Sequence, residues 1–111
     1  MSELANRHCQ RPEKSDQPLA RDRARHLLSQ VHGDWSLAQE GDRIQRTFEF
    51  RNFYETIGFV NALAWIVNTE DHHPDLEVSY KRCVVRFSTH AVGGLSENDF
   101  ICAAKTDALV A

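Results

Sequence analysis

Long apolar segments are missing from this chain of 111 residues. The longest strictly apolar run, residues 62–67, has six residues, whereas a helix that crosses a membrane needs about 20. The opening Met1-Ser2-Glu3 has no apolar stretch of the kind that a secretory signal contains. We therefore expect no association with a membrane and a cytoplasmic location.

An excess of basic residues is also missing, since 13 Lys and Arg residues stand against 16 Asp and Glu residues, a net charge of -3. Nucleic-acid-binding proteins are normally basic, so no nucleic-acid partner is expected. Cysteine is scarce, with three residues at Cys9, Cys83 and Cys102 and no C-x-x-C. That odd count argues against a disulfide framework and a cysteine zinc site, and it indicates a reducing compartment.

The apolar pattern divides the chain into a tail and one domain. Residues 1–17 are polar and lack apolar periodicity, so they are predicted to form a mobile tail. Residues 18–111 are long enough for one modest core. Pro18 suits the first position of a helix. Apolar residues then recur at helical spacing up to Gly33, namely Ala20, Ala24, Leu27, Leu28 and Val31.

Two hairpins are predicted from alternating apolar residues and turn chemistry. The strands are expected at 35–38, 43–50, 76–80 and 83–89. A second helix should begin after the cap Asn52 and end near Asn68, and a third should begin after the cap Ser96. The order α-β-β-α-β-β-α predicts an α+β fold, a four-stranded antiparallel sheet with three helices packed on one face.

The segment Glu70-Asp71-His72-His73-Pro74-Asp75 places two imidazoles among three carboxylates on the loop after the second helix. Histidine titrates near neutral pH and can transfer protons there, although a solvated polar loop is the plain alternative. The hairpin turn at 81–82 lies almost equally far from His73 and His90. We therefore expect antiparallel pairing to bring His90 beside the histidine pair.

Three other features leave alternatives open. Three histidines can form a zinc site, but neighbouring side chains diverge in extended backbone and no H-x-H or H-E-x-x-H spacing occurs, so no metal is expected. Trp35 either packs in its hairpin or provides an aromatic wall for a flat ligand. Asp99 suits the capping box of the last helix, and it is shorter than the usual Glu, which leaves room for a second role.

These residues carry a resemblance to a known family. The stretch Glu70-Asp71-His72-His73-Pro74-Asp75-Leu76, then Ser88-Thr89-His90, then Gly94-Leu95-Ser96-Glu97 and Asp99 resembles pterin-4a-carbinolamine dehydratase. The similarity extends upstream through Trp35 and covers about residues 19–111. The family fold, an antiparallel four-stranded sheet with helices on one face, agrees with the order of elements derived above.

The resemblance implies a function and a site. Family members dehydrate 4a-hydroxytetrahydropterin, made by aromatic amino acid hydroxylases such as phenylalanine hydroxylase, to quinonoid dihydropterin, without a metal or organic cofactor. They form homodimers and homotetramers. The residues implied as catalytic are His72, His73, His90 and Asp99. The implied pterin contacts are His72, His73, Pro74, Thr89, His90, Ala91 and Val92, with Trp35 nearby.

One position departs from the family pattern, and other functions stay open. Some family members carry a carboxylate where this chain has Asn68, so a supporting role there is in doubt unless Glu70 or Asp71 substitutes. The alternatives are a regulatory module that binds a transcription factor, as some animal members do, a divergent pterin protein of molybdopterin metabolism, and a zinc hydrolase.

Overall fold

A computed structural model describes residues 3–111 of the chain. The predicted order of elements is confirmed. The helices are α1 (Arg21–Leu28), α2 (Phe53–Glu70) and α3 (Glu97–Ala108), and the strands are β1 (Ser36–Leu37), β2 (Ile44–Glu49), β3 (Asp75–Val78) and β4 (Arg82–Phe87). Single 3-10 turns cover Glu3–Asn6 and His90–Val92. Within the described residues, no helix is both long and apolar enough to cross a membrane.

The four strands form one antiparallel sheet in the order β1-β2-β4-β3. Residues directly opposite each other share a face of the sheet. Ile44 pairs with Phe87 and Phe48 with Cys83, and all four are buried. This face packs against the helices, which contribute buried residues such as Leu27, Leu63 and Phe100.

Helix α1 begins later than its sequence predicted. Pro18 is not the first helical residue, because the helix starts at Arg21 after an extended Ala20. Instead, Leu19 N–H donates to the carbonyl of Leu95 at 2.9 Å, and the ring of Pro18 lies against Gly94, where an added Cβ would meet it at 2.9 Å. A tertiary contact therefore overrides the local preference of proline for a helix start.

Strand β3 is more exposed than its alternating pattern predicted. A half-buried strand was expected, yet all four residues of β3 are exposed. Leu76 lies opposite Val85 and Val78 opposite Cys83, so both apolar side chains lie on the helix-covered face. They remain 37% and 42% exposed because β3 is the edge strand and the helices do not reach over it.

The N-terminal segment also differs from its prediction. Residues 3–10 lie against α3, with Leu4 buried in the core and Arg7 paired with Glu97 at 2.6 Å. The expectation of a mobile tail is not met over this part, because Leu4 anchors the segment in the core. A single apolar residue without periodic neighbours gave no indication of this anchor in the sequence. Met1 and Ser2, also assigned to the tail, lie outside the described residues.

Candidate active site

The histidine pair follows α2 directly, as its sequence predicted. Asp71 ends the helix in the left-handed conformation, with φ 53°, and His72 N–H donates to the carbonyl of Val67 at 3.2 Å. This turn reverses the chain and directs the His72 side chain toward α3. His72 is only 12% exposed at its side chain.

Asp99 binds His72 and caps α3 at the same time. Its Oδ1 lies 2.6 Å from Nε2 of His72, and its Oδ2 accepts from the Ser96 N–H at 3.0 Å and from the Thr89 hydroxyl at 2.8 Å. The capping box predicted at Ser96 is present. Asp99 is fully buried, so three donors surround a carboxylate that water does not reach.

The hydrogen bonds fix the direction of each proton. A carboxylate that is ionised only accepts, so Nε2 of His72 is the nitrogen that donates to Asp99; in the neutral imidazole, Nδ1 is then the acceptor. Since the hydroxyl of Thr89 donates to Asp99, the hydroxyl of Ser96 donates to Thr89, at 2.7 Å. The His72 ring also stacks on Phe87, with centroids 6.0 Å apart and planes 11° apart. His72 is therefore held in one orientation.

His73 and His90 are both more exposed than His72. Nε2 of His73 lies 3.0 Å from Oδ1 of Asn68, one turn back on α2. Asn68 therefore contacts one of the histidines, although it is not a carboxylate. Pro74, which follows the pair, is half-buried.

His90 does not continue the last strand. It begins the 3-10 turn that also contains Ala91 and Val92, and Thr89 closes this turn through a bridge to Gly94. The register of β3 and β4 pairs Asp75 with Arg86. If both strands were extended with this register, His73 would lie opposite Ser88 and not opposite His90. The turn lies at the predicted end of the sheet, but within residues 3–111 no hydrogen bond joins the three imidazoles.

Trp35 lies in the core, where it shares the neighbour Phe87 with the His72 ring. Its ring packs against Phe48 and Phe87, and its indole N–H donates to Asp107 at 2.7 Å. Asp107 follows Asp99 on α3 by eight residues, about 12 Å along the helix. Arg46, on the core face of β2, donates to the same carboxylate at 2.6 Å. The structure thus gives Trp35 a packing role, and its pterin contact stays a prediction.

Glu70 and Asp71 do not replace the missing carboxylate at position 68. Glu70 instead accepts from the Cys9 N–H at 2.7 Å and lies 2.8 Å from Nδ1 of His8. Although burial acts to raise the pKa of Glu70, the bonds from Cys9 and His8 and the nearby Lys105 ammonium hold that pKa below its usual value. Asp71 is exposed at the end of the helix.

Ser96 and Asn98 are neighbours of the site that were not predicted to belong to it. Ser96 was expected only as a helix cap, and Asn98 had no expected role. Their positions beside Asp99 at the start of α3 could have indicated this, since a helix start that packs against a site loop places the neighbours of its contact residue close to the site as well. Within residues 3–111, no three His, Cys, Asp or Glu side chains are grouped to hold a metal ion.

The fold and site define a small α+β protein in which a buried carboxylate orients a histidine. Comparison with known proteins gives the family: the one described as Pterin 4 alpha carbinolamine dehydratase matches residues 17–109. The chain belongs to this family of hydro-lyases.

Relatives whose names assign them to pterin-4-alpha-carbinolamine dehydratase match nearly the whole chain. The protein of Stenotrophomonas maltophilia is 60% identical over 96% of this chain and 90% of its own length. That of Nitrosomonas eutropha is 53% identical over 97% of this chain and 94% of its own length.

Two solved structures share the fold. The transcriptional coactivator/pterin dehydratase of Brucella melitensis has a TM-score of 0.80 at 27% identity, covering 86% of this chain and 100% of its own. A pterin dehydratase-like protein described as a RuBisCO assembly factor in the alpha-carboxysome has a TM-score of 0.61 at 22% identity, covering 70% of this chain and 90% of its own. At that identity the second likeness shows the fold alone.

Proposed function

We propose that this protein dehydrates 4a-hydroxytetrahydropterin to quinonoid dihydropterin and water, with histidines as acid and base. In the cell, this activity would help to recycle the pterin cofactor of an aromatic amino acid hydroxylase, such as phenylalanine hydroxylase. The proposal needs no metal or organic cofactor.

The reaction breaks the bond between C4a and the hydroxyl oxygen and removes the proton on N5, and the freed electron pair forms the C4a–N5 double bond. One group must therefore donate a proton to the leaving oxygen, and another must accept the N5 proton. Proton transfer by positioned side chains accelerates such steps by about 10²–10⁴. Imidazoles suit both tasks near neutral pH.

The observation that carries the proposal is the buried hydrogen-bond chain from Ser96 through Thr89 and Asp99 to His72. This chain supports a fixed His72 that orients the pterin ring. It leaves the proton transfers to His73 and His90, which are exposed.

The contacts of His73 favour it as the base. Its Nε2 faces the amide oxygen of Asn68, so Nδ1 is the nitrogen available to take the N5 proton. His90 would then protonate the leaving hydroxyl. Pro74, Thr89, Ala91 and Val92 complete the proposed pterin contacts.

Stopped-flow turnover of enzymatically generated 4a-hydroxytetrahydrobiopterin tests the proposal. His73→Ala and His90→Ala should each lower kcat by about 10²-fold or more while the fold is retained. His26→Ala, at an exposed position of α1, is the matched control and should keep full activity. Full activity in both site variants would refute the assignment, and a wild-type protein without turnover would favour the regulatory or molybdopterin-related alternatives.

The proposal includes self-association as a homodimer or homotetramer. The edge strand β3 supports it, because Leu76 and Val78 are exposed there with open backbone positions for a further strand. Tyr80 and Trp65 add exposed aromatic surface, at 62% and 76%. An apolar edge of this kind is normally covered by a partner.

A further inference from the structure

A segment that precedes the matched family region lies against the candidate active site. We call residues 3–12 the N-terminal arm; the family match begins at residue 17. Leu4 of the arm is 2% exposed within the core, and the 3-10 turn that contains it packs on α3. The arm is therefore a docked element of the fold.

Asn98 holds the arm through both ends of its amide. The Gln10 N–H donates to Oδ1 of Asn98 at 3.0 Å, and Nδ2 of Asn98 donates to the Gln10 carbonyl at 2.7 Å. The buried side chain thus pairs with the backbone of one residue, much as a neighbouring strand would. Because Asn98 directly precedes Asp99, the arm is tied to the turn that carries the carboxylate on His72.

A second anchor comes from the end of α2. Cys9 N–H donates to Glu70 at 2.7 Å, and Glu70 lies two residues before His72. The sulfur of Cys9 also lies 3.5 Å from that of Cys102 on α3. The arm therefore bridges the two elements between which the site is built.

The arm also forms one side of a cavity beside His72. This cavity has a volume of about 420 Å³ and is lined by residues 9–12 of the arm, by residues 70–72 and by Asn98. A second cavity of about 350 Å³ shares residues 10–12 and Asn98 and reaches Val92. Residues 10–12 thus lie between the two loops that carry the proposed pterin contacts.

We propose that the N-terminal arm forms a wall of the pterin site and that Asn98 is the positioning residue that holds it there. For its substrate this inference rests on the proposed dehydratase function. The arm lines the cavity, but within the described residues 3–111 no hydrogen bond joins residues 9–12 to the side chains of His72, Asp99 or Thr89. Its displacement should therefore weaken substrate binding more than it slows the chemical step.

Asn98→Leu tests this proposal, since it nearly conserves volume and removes both side-chain bonds to Gln10. The loss of two hydrogen bonds should weaken arm docking by about 10- to 100-fold. We expect KM for 4a-hydroxytetrahydrobiopterin to rise about fivefold or more while kcat stays within about twofold. Asn61→Leu, the same change at an exposed position of α2, is the matched control and should change neither constant.

Alkylation of Cys102 measures arm docking without reference to activity. Cys102 is fully buried, in contact with Cys9 of the arm, so it should react with N-ethylmaleimide faster when the arm leaves. Cys83 is equally buried in β4 and reports global unfolding. Peptide mass spectrometry of Asn98→Leu should show faster labelling at Cys102 and unchanged labelling at Cys83.

The outcomes separate the parts of the proposal. Faster labelling of Cys102 with an unchanged KM would show that the arm has left without affecting substrate binding, and would refute the arm as a wall of the pterin site. Unchanged labelling would refute the role of Asn98 in holding the arm. A fall in kcat at constant KM would also overturn it, because Asn98 would then act on Asp99. If the wild-type protein has no turnover, the dehydratase proposal fails by itself. Titration with 7,8-dihydrobiopterin then decides, a weaker Kd in Asn98→Leu supporting the wall and an unchanged Kd refuting it.

Discussion

Replacement of Asp99 by asparagine is the sharpest test of the site. One oxygen of the carboxylate accepts a hydrogen bond from the His72 imidazole, and the other accepts from the Thr89 hydroxyl and the Ser96 N–H. Asparagine keeps one oxygen and replaces the other with an NH₂ donor. If its oxygen stays with Thr89 and Ser96, the amide nitrogen faces Nε2 of His72, and two donors meet. His72 then has to carry its proton on Nδ1.

The structure gives the size of the effect. A hydrogen bond to a charged group contributes about 1.5–3 kcal/mol and a neutral one about 0.5–1.5 kcal/mol. Exchange of the charge-assisted bond at 2.6 Å for a neutral bond from the amide should therefore lower Tm by about 4–12 °C in a domain of this size. Acid–base help is worth about 10²–10⁴ in rate. In the proposed mechanism His72 orients the ring and does not itself transfer the proton, so we expect kcat of Asp99→Asn to fall by about 10², at the lower end of that range.

Asp107→Asn is the matched control. Asp107 lies on the same helix and also accepts from three donors, the Trp35 indole at 2.7 Å, the Arg46 guanidinium at 2.6 Å and the His32 N–H at 3.0 Å. Both variants should therefore lose stability in thermal unfolding followed by circular dichroism. Only Asp99→Asn should lose turnover and shift the proton of His72, which long-range ¹H–¹⁵N NMR of the imidazole reports.

Two results would refute this reasoning, provided that both variants are assayed at a temperature where they are folded. One is full kcat in Asp99→Asn with the proton of His72 moved to Nδ1, since the orientation of that ring would then not matter. The other is an equal loss of kcat in Asp107→Asn, since the effect would then follow from a weakened α3 and not from the contact with His72.

Three further predictions concern stability and self-association. Because the pKa of Glu70 is lowered in the folded state, its stabilising contribution is present at neutral pH and is lost as pH falls below about 4; urea unfolding of Glu70→Gln should show a smaller acid loss than wild type. Val78→Lys at the edge strand should lower the oligomeric mass measured by light scattering, and an unchanged mass would move the interface elsewhere. Gly94→Ala should cost about 1–3 kcal/mol because the new Cβ would lie 2.9 Å from Pro18, and an unchanged Tm would contradict that contact.

The order of elements was predictable because each one carries its own local signals. The cap at Asn52 accepts from the Glu55 N–H at 2.9 Å, as its position predicted. The last helix begins as Ser96 and Asp99 indicated. The start of α1 was not predictable, since it depends on the contact of Pro18 with a glycine that is 76 residues away in sequence.

Features that depend on a distant partner were the ones that the sequence did not reveal. Leu4 and Cys9 have no apolar neighbours at regular spacing, so nothing local indicates that they dock on α3. The alternation in β3 correctly indicates a strand with one apolar face, but it does not say whether this chain or another copy covers that face. Arg46 lies on the core face of β2 because Asp107, from another element, neutralises it.

Asp99 shows why the site and the fold are hard to separate in this protein. The same carboxylate accepts the Ser96 N–H that begins α3 and the imidazole proton that orients His72. Formation of the helix start therefore places the group that fixes the histidine, and any change that weakens the cap also loosens the site. A loss of activity in an Asp99 variant is consequently ambiguous by itself. Asp107, which supports the other end of α3 without touching a histidine side chain, removes that ambiguity, because it reproduces the structural loss and leaves the proton of His72 where it was.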